Sequence, residues 1–351
     1  MHMNKNHPLY QEDIRAILST PSIEALYGKS FLVTGATGLI GVCLIDVLMA
    51  IGHGIKVYAV GRSKQKAAQR LGEYLGNPLF EFVEQDVCQP LPSCIQADYI
   101  IPGASNTHPL AYSQYPIETI MINVKGAEHA LDKAVQSGAE VLYLSTVEVY
   151  GNAVGDDVFT EDYTGKLNLA NSRSCYTESK RVSEAMCQSY ISERGAKVKI
   201  VRLSRVFGPT MLPADSKASS QFINKAVAGE DIVLKSEGMQ HFSYTYVADA
   251  VSAMLHVLLH GQAGVPYNIS AEGCNVHLKD FAGICAEAAG KSVVFDLPTA
   301  TESKGFSIAT QAILDNARIK SIGWRPRYSM KDAVARTIAI LKDGENQTRV
   351  G

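Results

Sequence analysis

Tyr176-Thr-Glu-Ser-Lys180 sets a phenol and an ammonium group four residues apart, which on a helix puts both on one face. A lysine beside a tyrosine favours the phenolate, so a side chain that titrates near 10 in water can serve as a base near neutral pH. With 16 tyrosines in the chain, one such spacing arises readily by chance. It gains weight from Leu144-Ser-Thr146-Val-Glu148-Val-Tyr-Gly151, which closes the preceding apolar run. A hydroxyl at Thr146 can hold a substrate hydroxyl in line with the Tyr176 oxygen while hydride leaves the same carbon for a nicotinamide. Glu148 reads either as a base or proton shuttle beside the substrate, or as a polar residue bonded to its own loop. Cys175 reads as a small residue at a helix start rather than a nucleophile.

A second set of residues suits phosphate chemistry. Gly35-Ala-Thr37-Gly38-Leu39-Ile40-Gly41 follows an apolar run and opens a helix-length segment. Glycines at this spacing give a tight turn, a backbone that can approach a pyrophosphate, and close packing of helix on strand. The helix N-terminus adds N–H donors and a partial positive charge. After the second apolar run, Val60-Gly61-Arg62-Ser63-Lys64 carries no acid to receive the 2′-hydroxyl of NAD. Arg62 either caps a solvent-facing turn or favours the 2′-phosphate of NADP, so NAD and NADP both stand. Asp86 and Val87 follow the third run, where an adenine would lie.

These groups need a scaffold, and the apolar pattern supplies one. Ser30–Thr34, Ile55–Val60, Phe80–Val83, Asp98–Ile101, Val141–Ser145 and Val198–Leu203 read as strands apolar on both faces. Between them, Leu39–Ile51, Lys64–Leu75, Pro116–Gln136 and Tyr176–Glu193 read as amphipathic helices. This alternation predicts an α/β fold, a doubly wound parallel sheet of the Rossmann type, with a smaller C-terminal α/β substrate lobe. The expected division is an N-terminal helical arm over 1–28, a dinucleotide-binding domain over 29–205 plus about 247–268, and a substrate lobe over 206–246 plus 269–345. In that lobe Met211–Ser220 reads as a loop, Gln221–Ala228 as a helix, Ile232–Leu234 and Pro266–Ile269 as strands. Further helices are expected after Asp249, near His277–Ala289 and over Lys331–Lys342.

Composition narrows the partners. The chain has 351 residues, 33 Lys+Arg against 35 Asp+Glu, and a net charge of −2, with no local basic run, which disfavours nucleic acid. It is 46% hydrophobic and 19% charged, enough to bury a large core, yet holds no apolar stretch of the roughly 18 residues that span a bilayer. Seven scattered cysteines and a polar N-terminus suit a reducing, cytoplasmic setting. Nine histidines without ligand spacing predict no metal.

The motifs together resemble the extended short-chain dehydrogenase/reductases, within the nucleotide-sugar epimerase, dehydratase and decarboxylase group. The resemblance runs from about Phe31 to Pro326. It rests on GATGLIG, Asp86-Val87, the PGAS segment at 102–105, Asn123 in NVKG, STVEVYG, RSCYTESKR, RLSRVFGP, Pro266-Tyr-Asn-Ile269 and Ile322-Gly-Trp324-Arg-Pro326. It implies Thr146, Tyr176 and Lys180 as a catalytic trio, Lys180 on the nicotinamide ribose, and Ala104 and Ser105 beside the cofactor. It further implies a structural role for Asn123, a preference for NAD, and a homodimer through Pro116–Gln136 and Tyr176–Glu193.

Two departures bear on the reaction. Dehydratases of the group follow the threonine with Asp-Glu; here Val147-Glu148 lacks the acid, which argues against dehydration. Relatives also carry an Arg in a G-x-x-x-R-x-F-x-Y-V-x-D segment that grips diphosphate or carboxylate, and here Phe242 occupies that position within Gly238–Asp249. Arg205 stands where relatives commonly have Asn, and either replaces the missing cation toward substrate or forms an ion pair with Glu161 or Asp215. The preferred reading is an NAD(P)-dependent nucleotide-sugar epimerase acting through a transient 4-keto sugar. A nucleotide-sugar-acid decarboxylase, an NADPH-dependent carbonyl reductase on another substrate, and a cofactor-binding regulatory protein are the alternatives. Retained NAD without net turnover would favour epimerisation, and stoichiometric NADPH consumption would favour reduction. An unaltered Tyr176→Phe protein would favour the non-catalytic alternative.

Overall fold

A computed structural model describes residues 3–107, 109–296 and 310–350. Helix α1 (Pro8–Leu18) leads into β1 (Ser30–Thr34), α2 (Leu39–Ile51), β2 (Lys56–Gly61), α3 (Lys64–Leu71), β3 (Phe80–Glu84) and β4 (Tyr99–Pro102). Next come α4 (Pro109–Gln114), α5 (Pro116–Ser137), β5 (Glu140–Thr146), β6 (Val158–Phe159), α6 (Ser174–Arg194) and β7 (Lys197–Leu203). The chain continues through β8 (Arg205–Phe207), α7 (Ala218–Ala228), β9 (Ile232–Leu234), β10 (His241–Tyr246), α8 (Val247–His260) and β11 (Pro266–Ile269). It closes with β12 (Asn275–His277), α9 (Leu278–Ala289), β13 (Val293–Phe295), β14 (Gln311–Leu314), α10 (Ala317–Ser321) and α11 (Met330–Val350).

The strands read as apolar on both faces form one parallel sheet in the order β3-β2-β1-β4-β5-β7-β11. Register brings their C-terminal ends level: Thr34 pairs with Val60 and Pro102, and Thr146 with Leu203. Every loop that carries a candidate residue therefore leaves the sheet at one edge, with the order reversing between β1 and β4. That reversal opens a crevice at the edge.

The second sheet runs β12-β10-β14-β6, and β8 pairs in parallel with the far half of β10. Strands β9 and β13 form a separate parallel pair. One cluster of buried side chains extends from Tyr10 and Ile14 through Val33 and Leu44 to Phe281 and Trp324, so both sheets share a core. Helix α1 is clasped to α2 by Asp46, which accepts bonds from Lys5 Nζ (2.7 Å), Tyr10 Oη (2.6 Å) and Tyr74 Oη (2.9 Å). On its other side, Asp13 accepts from Tyr246 Oη (2.6 Å) and Arg336 Nε (2.9 Å).

Local boundaries differ from expectation for physical reasons. Helix α3 stops at Leu71 and tightens into a 3₁₀ turn over Gly72–Tyr74, because glycine weakens the helix there. Helix α8 starts at Val247, which puts Asp249 in its first turn, not ahead of it; the carboxylate accepts from the backbone N–H groups of Arg327 (2.9 Å) and Tyr328 (3.2 Å). Burial nevertheless pushes Asp249 up to about 6. Among the described residues, no helix is long and apolar enough to cross a membrane, and no group of three or more His, Cys, Asp or Glu residues could hold a metal ion.

Candidate active site

The glycine loop is built by close approach. Gly35 has φ +67°, and a Cβ there would lie 2.5 Å from the Gly103 carbonyl oxygen beyond β4. A Cβ on Gly41 would lie 2.4 Å from the Gly35 oxygen. On Gly38 it would meet only that oxygen, at 3.2 Å, so the loop presents bare backbone there. Gly38 is the N-cap of α2 and brings no side-chain acceptor, leaving the positive end of a 13-residue helix uncapped by its own chain. Ser105 Oγ and Ser145 Oγ are buried on the same cavity with no partner among the described residues. An unlidded helix N-terminus, a bare glycine backbone and orphaned hydroxyls fit a dinucleotide.

The cavity measures about 900 Å³, and every candidate residue lines it. Gly35, Thr37, Gly38, Leu39, Ile40 and Gly41 line it together with Arg62, Asp86, Val87, Ala104 and Ser105, and with Thr146, Glu148, Tyr176, Lys180, Arg205 and Phe242. Arg62 is not a free cation: its Nη1 lies 2.9 Å from Glu118 Oε1 of α5, with both side chains exposed. Asp86 Oδ1 accepts from the Cys88 N–H at 2.9 Å. The Ala104 N–H donates to Thr34 Oγ1 at 3.1 Å, tying the two loops at the crevice together.

Thr146 ends β5, and Tyr176 and Lys180 lie one turn apart near the start of α6, which begins at Ser174. Burial pushes the Tyr176 phenol well above its ordinary value, the Thr146 side chain pulls it down, and the Glu148 and Tyr112 side chains push it further up. Lys180 donates to the Leu144 carbonyl at 2.8 Å, and burial lowers its ammonium to about 8. Burial is the largest influence on the phenol, and the Thr146 side chain only partly offsets it. A buried acid needs positive charge beside it before it ionises readily.

One neighbour carries no sequence signature. Tyr112 of α4 stacks on Tyr176, with ring centroids 5.8 Å apart and planes 20° apart, and Arg173 hydrogen-bonds its phenol. Only an aromatic residue in a short segment marked it in the sequence. Cys175 is buried, its thiol pushed up by burial and lying 3.6 Å from the Tyr112 carbonyl oxygen, which suits packing rather than nucleophilic attack. Asn123 Nδ2 donates to Ser179 Oγ at 2.8 Å and so fastens α5 to α6.

Arg205 pairs with neither Glu161 nor Asp215. Glu161 accepts from the Asn268 N–H at 2.9 Å and faces Arg318, while Asp215 binds Lys217 at 2.9 Å. The Arg205 guanidinium lies 3.6 Å from the centroid of the Phe242 ring, with Nη2 3.5 Å from Glu148 Oε1. Phe242 and Tyr244 face the cavity, whereas Tyr246 is fully buried against Asp13.

The NAD dependent epimerase/dehydratase family profile matches residues 31–270, more than half of the chain. The chain belongs to that family. It is 31% identical to UDP-glucuronic acid decarboxylase 6 of Arabidopsis thaliana over 86% of this chain and 86% of that protein. Among solved structures, a UDP-glucose 4-epimerase of Thermotoga maritima with UDP-glucose superposes with a TM-score of 0.76 at 22% identity, covering 90% of this chain and 99% of the other. A dTDP-glucose 4,6-dehydratase of Streptomyces venezuelae with NAD bound gives 0.77 at 24%, covering 91% and 98%. The family is one of NAD-dependent enzymes that modify nucleotide sugars.

Proposed function

We propose that this protein binds NAD and transiently oxidises C4 of a nucleotide-linked sugar, returning the hydride to the opposite face as an epimerase. The observation that carries the reading is the convergence of the glycine loop with Thr146, Tyr176 and Lys180 on one cavity. NAD, when bound, supplies the hydride acceptor and the positive charge of an oxidised nicotinamide. Tyr176 accepts the hydroxyl proton at its phenolic oxygen, and Thr146, on the same cavity wall, orients that hydroxyl. Lys180, anchored on Leu144, is held to bind the nicotinamide ribose. Gly35, Gly38 and Gly41 with Leu39 and Ile40 receive the pyrophosphate; Arg62, Asp86, Val87, Ala104 and Ser105 surround the adenosine and nicotinamide arms. Exposed Ile117, Ile120, Met121 and Val182 on α5 and α6 support a homodimer.

A second reading, decarboxylation of a nucleotide-linked uronic acid, is favoured by the decarboxylase relatives and by Glu148 beside Arg205. Both share the 4-keto step, so one assay separates them. Incubation with UDP-glucose and UDP-glucuronate, followed by NMR of the sugar, should give the C4 epimer without net NADH formation. A pentose from UDP-glucuronate would select decarboxylation. Tyr176→Phe should lower the rate by about 100-fold or more; full activity in that variant would refute both.

A further inference from the structure

We infer that Arg205 is the residue that grips the anionic group of the substrate, with Phe242 as the platform that holds it flat. The inference rests on the proposed action on nucleotide sugars and adds to it the means by which the charged part of the substrate is held.

The geometry begins with strand pairing. Strand β8 runs parallel to β10 with Arg205 opposite Tyr244. Phe242 lies two residues earlier on β10 and shares a face with Tyr244, because side chains alternate along a strand. Arg205 leans along this face until its guanidinium carbon stands 3.6 Å from the Phe242 ring centroid. A guanidinium stacked this way keeps its edge free for a planar, two-point contact with carboxylate or phosphate oxygens.

That edge is underused. Nη1 is buried and has no hydrogen-bond partner among the described residues. Nη2 reaches only Glu148 Oε1, at 3.5 Å, the outer limit of a hydrogen bond, and Glu148 is 46% exposed. A buried donor without a protein acceptor is seldom left so unless a ligand or a water supplies one. The same residue lines the cavity that holds Tyr176 and Thr146. An anion seated on Arg205 would also take over its weak contact with Glu148, leaving that carboxylate to face the substrate. Phe242 thus still serves charge recognition, as the surface under a cation delivered from the neighbouring strand.

The shared chemistry is a pair of anionic oxygens, from a diphosphate or from a sugar carboxylate. The test is calorimetric binding to NAD-saturated full-length protein, comparing wild type with Arg205→Leu and Arg205→Lys. The ligands are UDP, UDP-glucose, UDP-glucuronate and inorganic pyrophosphate. Loss of about tenfold or more for UDP, UDP-glucose and pyrophosphate in the leucine variant, with NAD affinity unchanged, supports a diphosphate contact. Loss confined to UDP-glucuronate supports a carboxylate contact. Lysine should recover part of the loss, since it restores charge without the fork; where leucine impairs folding, weaker binding by the lysine variant than by wild type supports the same contact. Equal affinity of wild type and both variants for every ligand that binds overturns the role of Arg205 and leaves the catalytic reading intact. Wild type that binds pyrophosphate but none of the UDP ligands overturns the UDP-sugar reading, and the pyrophosphate comparison still decides Arg205. Wild type that binds none of the four overturns both.

Discussion

Exchanging Lys180 for methionine replaces a buried ammonium with an apolar chain of similar length, and the cost of that charge can be worked from its surroundings. The side chain is 5% exposed, and burial lowers its pKa from 10.5 to about 8. At about 1.4 kcal/mol per pH unit, keeping the ammonium charged in the fold at pH 7 costs on the order of 3 kcal/mol. The bond to the Leu144 carbonyl is lost in the variant, which takes back about 1–2 kcal/mol. Lys180→Met should therefore be more stable than the parent by about 1–2 kcal/mol at pH 7, while losing activity. The pH dependence gives the sharper signature. Between about 8 and 10.5 the unfolded chain binds a proton at Lys180 that the fold does not, so parental stability rises with pH across that window. The methionine variant lacks this rise. Urea unfolding of both proteins, freed of nucleotide, at pH 7 and pH 9.5 measures the gap directly. A variant less stable than the parent at pH 7, or a gap that does not shrink at pH 9.5, would refute the reasoning.

Two further perturbations bear on the site. Glu148→Gln removes a negative charge that holds the Tyr176 phenol up, so the phenolate forms more readily and the acid limb of the kcat/KM profile should move to lower pH. A limb that stays or moves upward contradicts this. Glu118→Gln releases Arg62 from an exposed ion pair at the adenosine end; NADP binding should tighten by about two- to fivefold with NAD little changed, read by fluorescence titration.

The central sheet and the gathering of the candidate residues on one cavity were legible because both are written in local patterns. Runs such as Phe31-Leu-Val-Thr34 are apolar on both faces, and the glycine loop must follow β1 directly. The second sheet was less legible. His241–Tyr246 alternates polar and aromatic residues as a strand does, but its partners β8, β12 and β14 are each delivered from elsewhere in the chain, so its place in a sheet is not written locally. The stacking of Arg205 on Phe242 was hidden for the same reason: each residue looked displaced alone, and only the pairing of β8 with β10 brings them to one face. Tyr112 was missed because stacking on Tyr176 is set by how α4 lies, and a six-residue helix carries too little periodicity to place a ring. The protonation state of Tyr176 could not be read from spacing either, since burial outweighs its neighbours and burial is a property of the whole fold.

The clasp of α1 has a practical consequence for anyone dividing the chain. The segment bearing the family's signature, residues 31–270, is not a unit that can be excised. Cutting there strips Tyr10 and Lys5 from Asp46, leaving a 5%-exposed carboxylate on the helix that begins at the glycine loop without two of its three hydrogen-bond donors. It also removes Asp13 from beneath Tyr246, at the foot of the strand that carries Phe242. A shortened fragment would thus lose cofactor grip and substrate grip together, and its inactivity would say nothing about either.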